Sequence, residues 1–161
     1  MIRYDIITLS EYLKKLALRE PVPGGGSASA FSAALGVALV QMVARYSLGK
    51  GKSKSVEKKI SALDQKAAIL RDKLLRLVSR DAETYLEIVS ARKKDKAAQK
   101  KAAVQAGKVS REIKALSQKA LTFLPYLRKE GNRWLQSDVD AAENFLKASV
   151  KTSEIMMKAN A

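Results

Sequence analysis

The sequence predicts an all-α fold, a bundle of five or six helices around a buried alanine-rich helix, on three observations. No segment sustains the period-two alternation of a strand. A heptad seam runs through the middle of the chain, and Ala28 to Tyr46 is apolar nearly all round. At 161 residues, with no internal repeat, the chain reads as a single domain over 1–161.

Thr8-Leu9-Ser10-Glu11 forms a capping box, and Leu9, Tyr12, Leu13 and Leu16 follow at helical spacing, so a short first helix ends before Pro21. Pro21-Val22-Pro23-Gly24-Gly25-Gly26 forbids regular structure, and Ser27 is the expected N-cap of the second helix, about Ser27 to Leu48. That helix has the length of a membrane span. Ser29, Ser32, Gln41 and Arg45 interrupt it, however, and its small residues suit close helix packing, so no membrane partner is expected. Gly49-Lys50-Gly51-Lys52 then makes a basic loop.

The third helix is expected from about Ser55 to Lys93. Alternate steps of four and three from Val56 give Ile60, Leu63, Ala67, Leu70, Leu74 and Leu77, then Asp81, Thr84 and Ile88. A further helical segment, about Lys96 to Lys129, shows Val104, Val109, Ile113, Leu116, Ala120, Phe123 and Leu127 on its inner face, with Pro125 kinking or shortening its end. Gly131-Asn132 terminates it in a left-handed C-cap. Ser137, with Asp140 three residues on, starts the last helix, whose Val139, Ala142, Leu146, Val150, Ser153 and Met157 share one face.

Composition narrows the chemistry. There is no cysteine and no histidine, so thiolate metal sites and a cysteine nucleophile are excluded, and acid–base work falls to carboxylates, lysine, tyrosine or water. Residues 1 to 20 carry charge throughout and show no secretory leader, which reads as cytoplasmic. The net charge of +15, from 31 basic against 16 acidic residues, favours anionic partners. The basic residues are dispersed over helix faces and aromatics make up only 6% of the chain, which argues against a nucleic-acid partner.

Two positions stand out by pattern. The Gly24–Ser27 turn is either a plain connection or a cradle where a ligand meets exposed amides at a helix start. Asp81 falls where the seam asks for an apolar residue; it either pairs with a lysine or arginine at the margin, or lines a cavity as an acid–base group. Asp138 and Asn132 have ordinary capping explanations, and Lys50 and Lys52 that of a solvated loop.

Taken in order, Pro21-Val22-Pro23-Gly24-Gly25-Gly26-Ser27, Met42-Val43-Ala44, Ser47-Leu48-Gly49-Lys50, Asp81-Ala82 with Tyr85 and Val89, Gly131-Asn132 and Ser137-Asp138 resemble the formiminotetrahydrofolate cyclodeaminase and methenyltetrahydrofolate cyclohydrolase family over almost the whole chain. The resemblance implies an all-helical homodimeric enzyme of one-carbon folate chemistry, with a folate substrate and neither metal nor organic cofactor. It implies Asp81 as proton shuttle or stabiliser of the cationic carbon and Asp138 as a second acid or pterin partner. Asn132 becomes a positioning donor beside Ser137, and Gly24, Gly25, Gly26 and Ser27 bind carbonyl or carboxylate groups. Lys50 and Lys52 become contacts for the anionic glutamate tail. The cyclodeaminase reaction, the cyclohydrolase reaction and a non-catalytic basic relative binding nucleic acid or protein remain open here. The family's Leu-Pro-Lys is replaced around Arg92-Lys93-Lys94-Asp95, its second asparagine after Gly-Asn is lost at Arg133-Trp134, and a proline is replaced near Ser110.

Overall fold

The computed structural model describes residues 3–160, which form six α-helices and one 3-10 turn and contain no strand. In order these are α1 (Leu9–Leu16), α2 (Gly25–Ser47), α3 (Lys54–Ala91), α4 (Lys96–Leu121), α5 (Leu124–Glu130), a 3-10 turn (Arg133–Leu135) and α6 (Gln136–Ala159). Helices α2, α3, α4 and α6 make an up-down-up-down bundle. Arg45 pairs with Asp64 while Gly26 lies against Asp81, so α2 and α3 run antiparallel. Ser29 meets Ser153 while Gly36 meets Leu146, and Ser117 meets Ser149 while Lys114 pairs with Glu154, so α6 opposes both α2 and α4.

The seam of α3 faces the core. Ile60, Leu63, Ala67, Leu70, Leu74 and Leu77 are buried, and Thr84 joins them by returning its hydroxyl to the Arg80 carbonyl of its own helix at 3.1 Å. The opposing surface of α2 is built from small residues. Ala30, Ala33, Val37, Val43 and Ala44 are wholly buried, whereas Leu35, Arg45 and Tyr46 face outward. At Gly36 a Cβ would stand 2.9 Å from Leu146 Cγ and 3.1 Å from the Ala142 carbonyl, so α2 and α6 approach closely because this residue has no side chain. The helix is long and apolar enough to cross a membrane, but most of that stretch is packed against its neighbours.

Several local expectations are corrected. The N-cap of α2 is Gly24, and Ser27 lies inside the first turn with its side chain in the core. Likewise α6 begins at Gln136 without a side-chain cap, so Ser137 does not cap it. Gly131 ends α5 at φ −74°, in ordinary rather than left-handed backbone, and Asn132 caps the following 3-10 turn. The expected Lys96–Lys129 helix is divided, with Pro125 in the first turn of α5, where its missing N–H costs no bond. Leu9 and Leu13 are exposed, leaving Tyr12 as the buried anchor of α1.

Candidate active site

A cleft of about 440 Å³ opens where the start of α2, the C-terminal half of α3, α4 and the end of α6 converge. The turn of Gly24, Gly25 and Gly26 forms one wall. Asp81 and Tyr85 face it from α3, and Met156 and Asn160 close it from α6. The sequence had marked the glycines and Asp81; Met156 was missed, because a lone methionine in a helical face reads as core.

Among the described residues, Asp81 is the one acidic side chain lining this cleft. Its carboxylate lies against the Cα of Gly26 and accepts a hydrogen bond from the Ser27 backbone N–H. A carboxylate from α3 thus answers one of the unpaired amides at the start of α2, the work that a capping side chain normally does. No lysine or arginine pairs with Asp81 among the described residues, so the marginal ion pair considered from spacing is not formed. Burial therefore dominates and raises its pKa to about 6; the Ser27 amide works in the opposite direction and limits the rise. Such a group holds and releases a proton near neutral pH.

The layer behind the cleft fixes this geometry. The hydroxyl of Ser27 turns inward and shares a buried 3.0 Å hydrogen bond with Tyr12 Oη. Tyr12 packs edge-on to Tyr4 and against Phe31, and Tyr4 donates to the Val22 carbonyl at 3.3 Å. Deeper still, Ser29 of α2 bonds Ser149 and Ser153 of α6, and Ser149 bonds Ser117 of α4. These serines satisfy one another without charge and tie three helices beneath the cleft.

The remaining expected site residues gather elsewhere. Helix α2 spans Gly25–Ser47, a rise of about 34 Å, and Asn132, Ser137, Asp138, Lys50 and Lys52 belong to its far end. There the Asn132 backbone donates to Ser47 Oγ at 2.8 Å, and its side-chain amide donates to the Tyr46 carbonyl and accepts from the Trp134 N–H. Asn132 so ties the turn before α6 to the end of α2. Lys50 and Lys52 sit beside Gly49 and Gly51, whose φ of +67° and +71° make the turn that only glycine adopts easily. Within one chain, Asp81 and this second cluster do not meet.

A second cleft of about 550 Å³ lies between the N-terminal segment and the outer face of α3. Arg3 pairs there with Asp5, and Arg80 with Glu83 and Glu87, while Lys73 and Arg76 also line it.

The chain resembles known proteins over almost its whole length. Residues 8–161 match the family model described as formiminotransferase-cyclodeaminase. The chain is 27% identical to a methenyltetrahydrofolate cyclohydrolase of Methylorubrum extorquens, over 96% of this chain and 79% of that protein. It superposes on a crystal structure of formiminotetrahydrofolate cyclodeaminase from Thermotoga maritima with a TM-score of 0.94 and 25% identity, covering 97% of this chain and 79% of that one.

Proposed function

Because the chain belongs to the formiminotransferase-cyclodeaminase family of folate enzymes, we propose that it converts 5-formiminotetrahydrofolate to 5,10-methenyltetrahydrofolate and ammonia, as one domain over 1–161. The observation that carries this reading is Asp81, a half-buried carboxylate whose pKa is raised to about 6 by burial, in the cleft beside a glycine-lined helix start.

In this reaction N10 of the folate attacks the formimino carbon held on N5, the formimino group entering as its protonated amidinium. The tetrahedral adduct then loses the N10 proton, gains one on its exocyclic nitrogen, and expels ammonia as the N5 lone pair forms the methenyl cation. Ionised Asp81 takes the N10 proton and returns it to the departing nitrogen, so one group serves both transfers. Its carboxylate also stands beside the carbon on which positive charge develops. Gly24, Gly25 and Gly26 leave the α2 backbone open to the ring's carbonyl and amide groups, while the Ser27 amide holds Asp81 in register.

The cyclohydrolase reaction is the second reading, favoured by the name of the Methylorubrum relative. In it water adds to the methenyl carbon and the ring opens to 10-formyltetrahydrofolate, with Asp81 as the base for water. Helical dimers are implied by the family resemblance, and the exposed Leu35 and Tyr46 of α2, with Phe145 of α6, support an interface between copies. Asp138, Asn132, Ser137, Lys50 and Lys52 contribute to turnover from the far end of α2, outside the cleft of their own chain.

Absorbance of the methenyl chromophore tests the assignment. Protein-dependent growth from 5-formiminotetrahydrofolate identifies the cyclodeaminase, and accelerated decay of added methenyltetrahydrofolate identifies the cyclohydrolase. Silence in both assays with folded protein points to a non-catalytic basic relative.

A further inference from the structure

The cleft beside Asp81 carries opposite charges at its two ends. Asp81, Tyr85, Ile88 and Arg92 follow one stripe of α3, and among the residues lining the cleft Asp81 is the one anion and Arg92 the one cation. Arg92 is the C-cap of α3, where a cation is stabilised by the negative end of the helix dipole. Among the described residues its guanidinium has no ion-pair partner, and the nearby Asp95 is occupied in capping α4 through a 2.8 Å bond from the Ala98 N–H. An exposed, unpaired arginine at the mouth of a cleft is free to meet a carboxylate from solution.

The wall between the two charges is an aromatic ring, Tyr85, and an apolar side chain, Ile88, with Ala103 and Ala106 of α4 also lining the space. From residue 81 to residue 92 the helix rises about 16 Å, a gap that the long arginine side chain shortens toward the length of an aminobenzoyl-glutamate arm. We infer that Arg92 binds the glutamate carboxylates of the substrate, with the benzoyl ring along Tyr85 and Ile88 and the reacting carbon at Asp81. This rests on the folate reading of the cleft. It assigns to Arg92 the part that the family resemblance gave to Lys50 and Lys52, which lie past the far end of α2.

The test crosses enzyme and substrate. Wild type, R92A and R92K are assayed, in whichever of the two reactions the wild type runs, with the folate substrate and with its pteroate counterpart lacking glutamate. The expected result is a KM for the glutamate-bearing substrate raised about tenfold in R92A and less in R92K, with kcat nearly constant. The pteroate substrate should give the same KM in all three proteins. Unchanged KM for the glutamate-bearing substrate, or equal rises for both substrates, overturns the inference while leaving the folate reading intact. Wild-type protein that turns over neither folate overturns the reading and the inference together.

Discussion

A methyl group placed on Gly26 would stand 2.1 Å from Oδ1 of Asp81. The bare Cα of one helix start is therefore the seat of the carboxylate on the next helix, and the amide of Ser27 completes it. Position 26 must lack a side chain because another residue's functional group occupies the space, not because the backbone needs an unusual φ.

Gly26→Ala should consequently be a site mutation more than a folding mutation. The Asp81 carboxylate can rotate away, so the stability cost is on the order of 1–3 kcal/mol, while displacement of the acid–base group lowers turnover about a hundredfold. A thermal melt and an initial-rate assay on the same preparation check both. Folded G26A with wild-type rates would remove the seat from the mechanism. At Gly24 a Cβ meets nothing within 4 Å, so Gly24→Ala should leave the melting temperature unchanged.

Turnover should follow the ionisation of Asp81. The group must be ionised to accept the N10 proton, so kcat/KM should rise with pH and level off above an apparent pKa of about 6. Asp81→Asn should abolish that limb and cost about 10²–10⁴-fold in rate. An unchanged pH profile in D81N would assign the titration to another group.

The same residue should make the fold less stable as it ionises. Its folded pKa is raised above the ordinary 3.8 to about 6, so the stabilisation from holding the proton is complete below pH 3.8 and is lost as pH rises through 6. D81N has no such loss. Relative to wild type, it should gain about 3 kcal/mol between pH 3.5 and pH 7.5. Denaturant unfolding at the two pH values measures the difference, from which the general effect of the chain's positive charge cancels. A gain of zero would mean that Asp81 is solvated in the folded protein.

The bundle was legible in the sequence wherever large apolar residues marked the inner face. The α3 seam from Ile60 to Leu77 is buried as its heptad spacing predicts. It was less legible where the core is made of small or polar residues. On α4 the buried positions include Ala102, Ala106, Ser110 and Ser117, whereas Val104 is 44% exposed. On α6 Ser149, not Val150, faces the core. Serine that bonds a carbonyl of its own helix or another buried serine costs little to bury, and hydrophobic patterning does not see it. Asp81 stood out because a charge in a seam demands an explanation. The cap of α2 was misread because Ser27 is the better cap by type, yet its amide is satisfied by Asp81 from another helix, a contact invisible to local spacing. Separation of the Lys50 and Asn132 cluster from Asp81 follows from the length of α2, which sets its two ends about 34 Å apart.

The hydroxyl pair beneath the site gives a last, purely energetic prediction. Tyr12 Oη and Ser27 Oγ are each other's partners at 3.0 Å in a buried place, and either can be the donor. Removing one hydroxyl strands the other, so Tyr12→Phe and Ser27→Ala should each cost about 1–3 kcal/mol. The double variant leaves no orphan and should cost clearly less than the sum, with a coupling of about 1 kcal/mol. Tyr12 also carries ring contacts to Tyr4 and Phe31, which phenylalanine keeps, so Y12F isolates the hydroxyl. Denaturant melts of the four proteins complete the cycle. Strict additivity would mean that water or another group satisfies the two hydroxyls separately, and that the floor of the cleft is held by apolar packing alone.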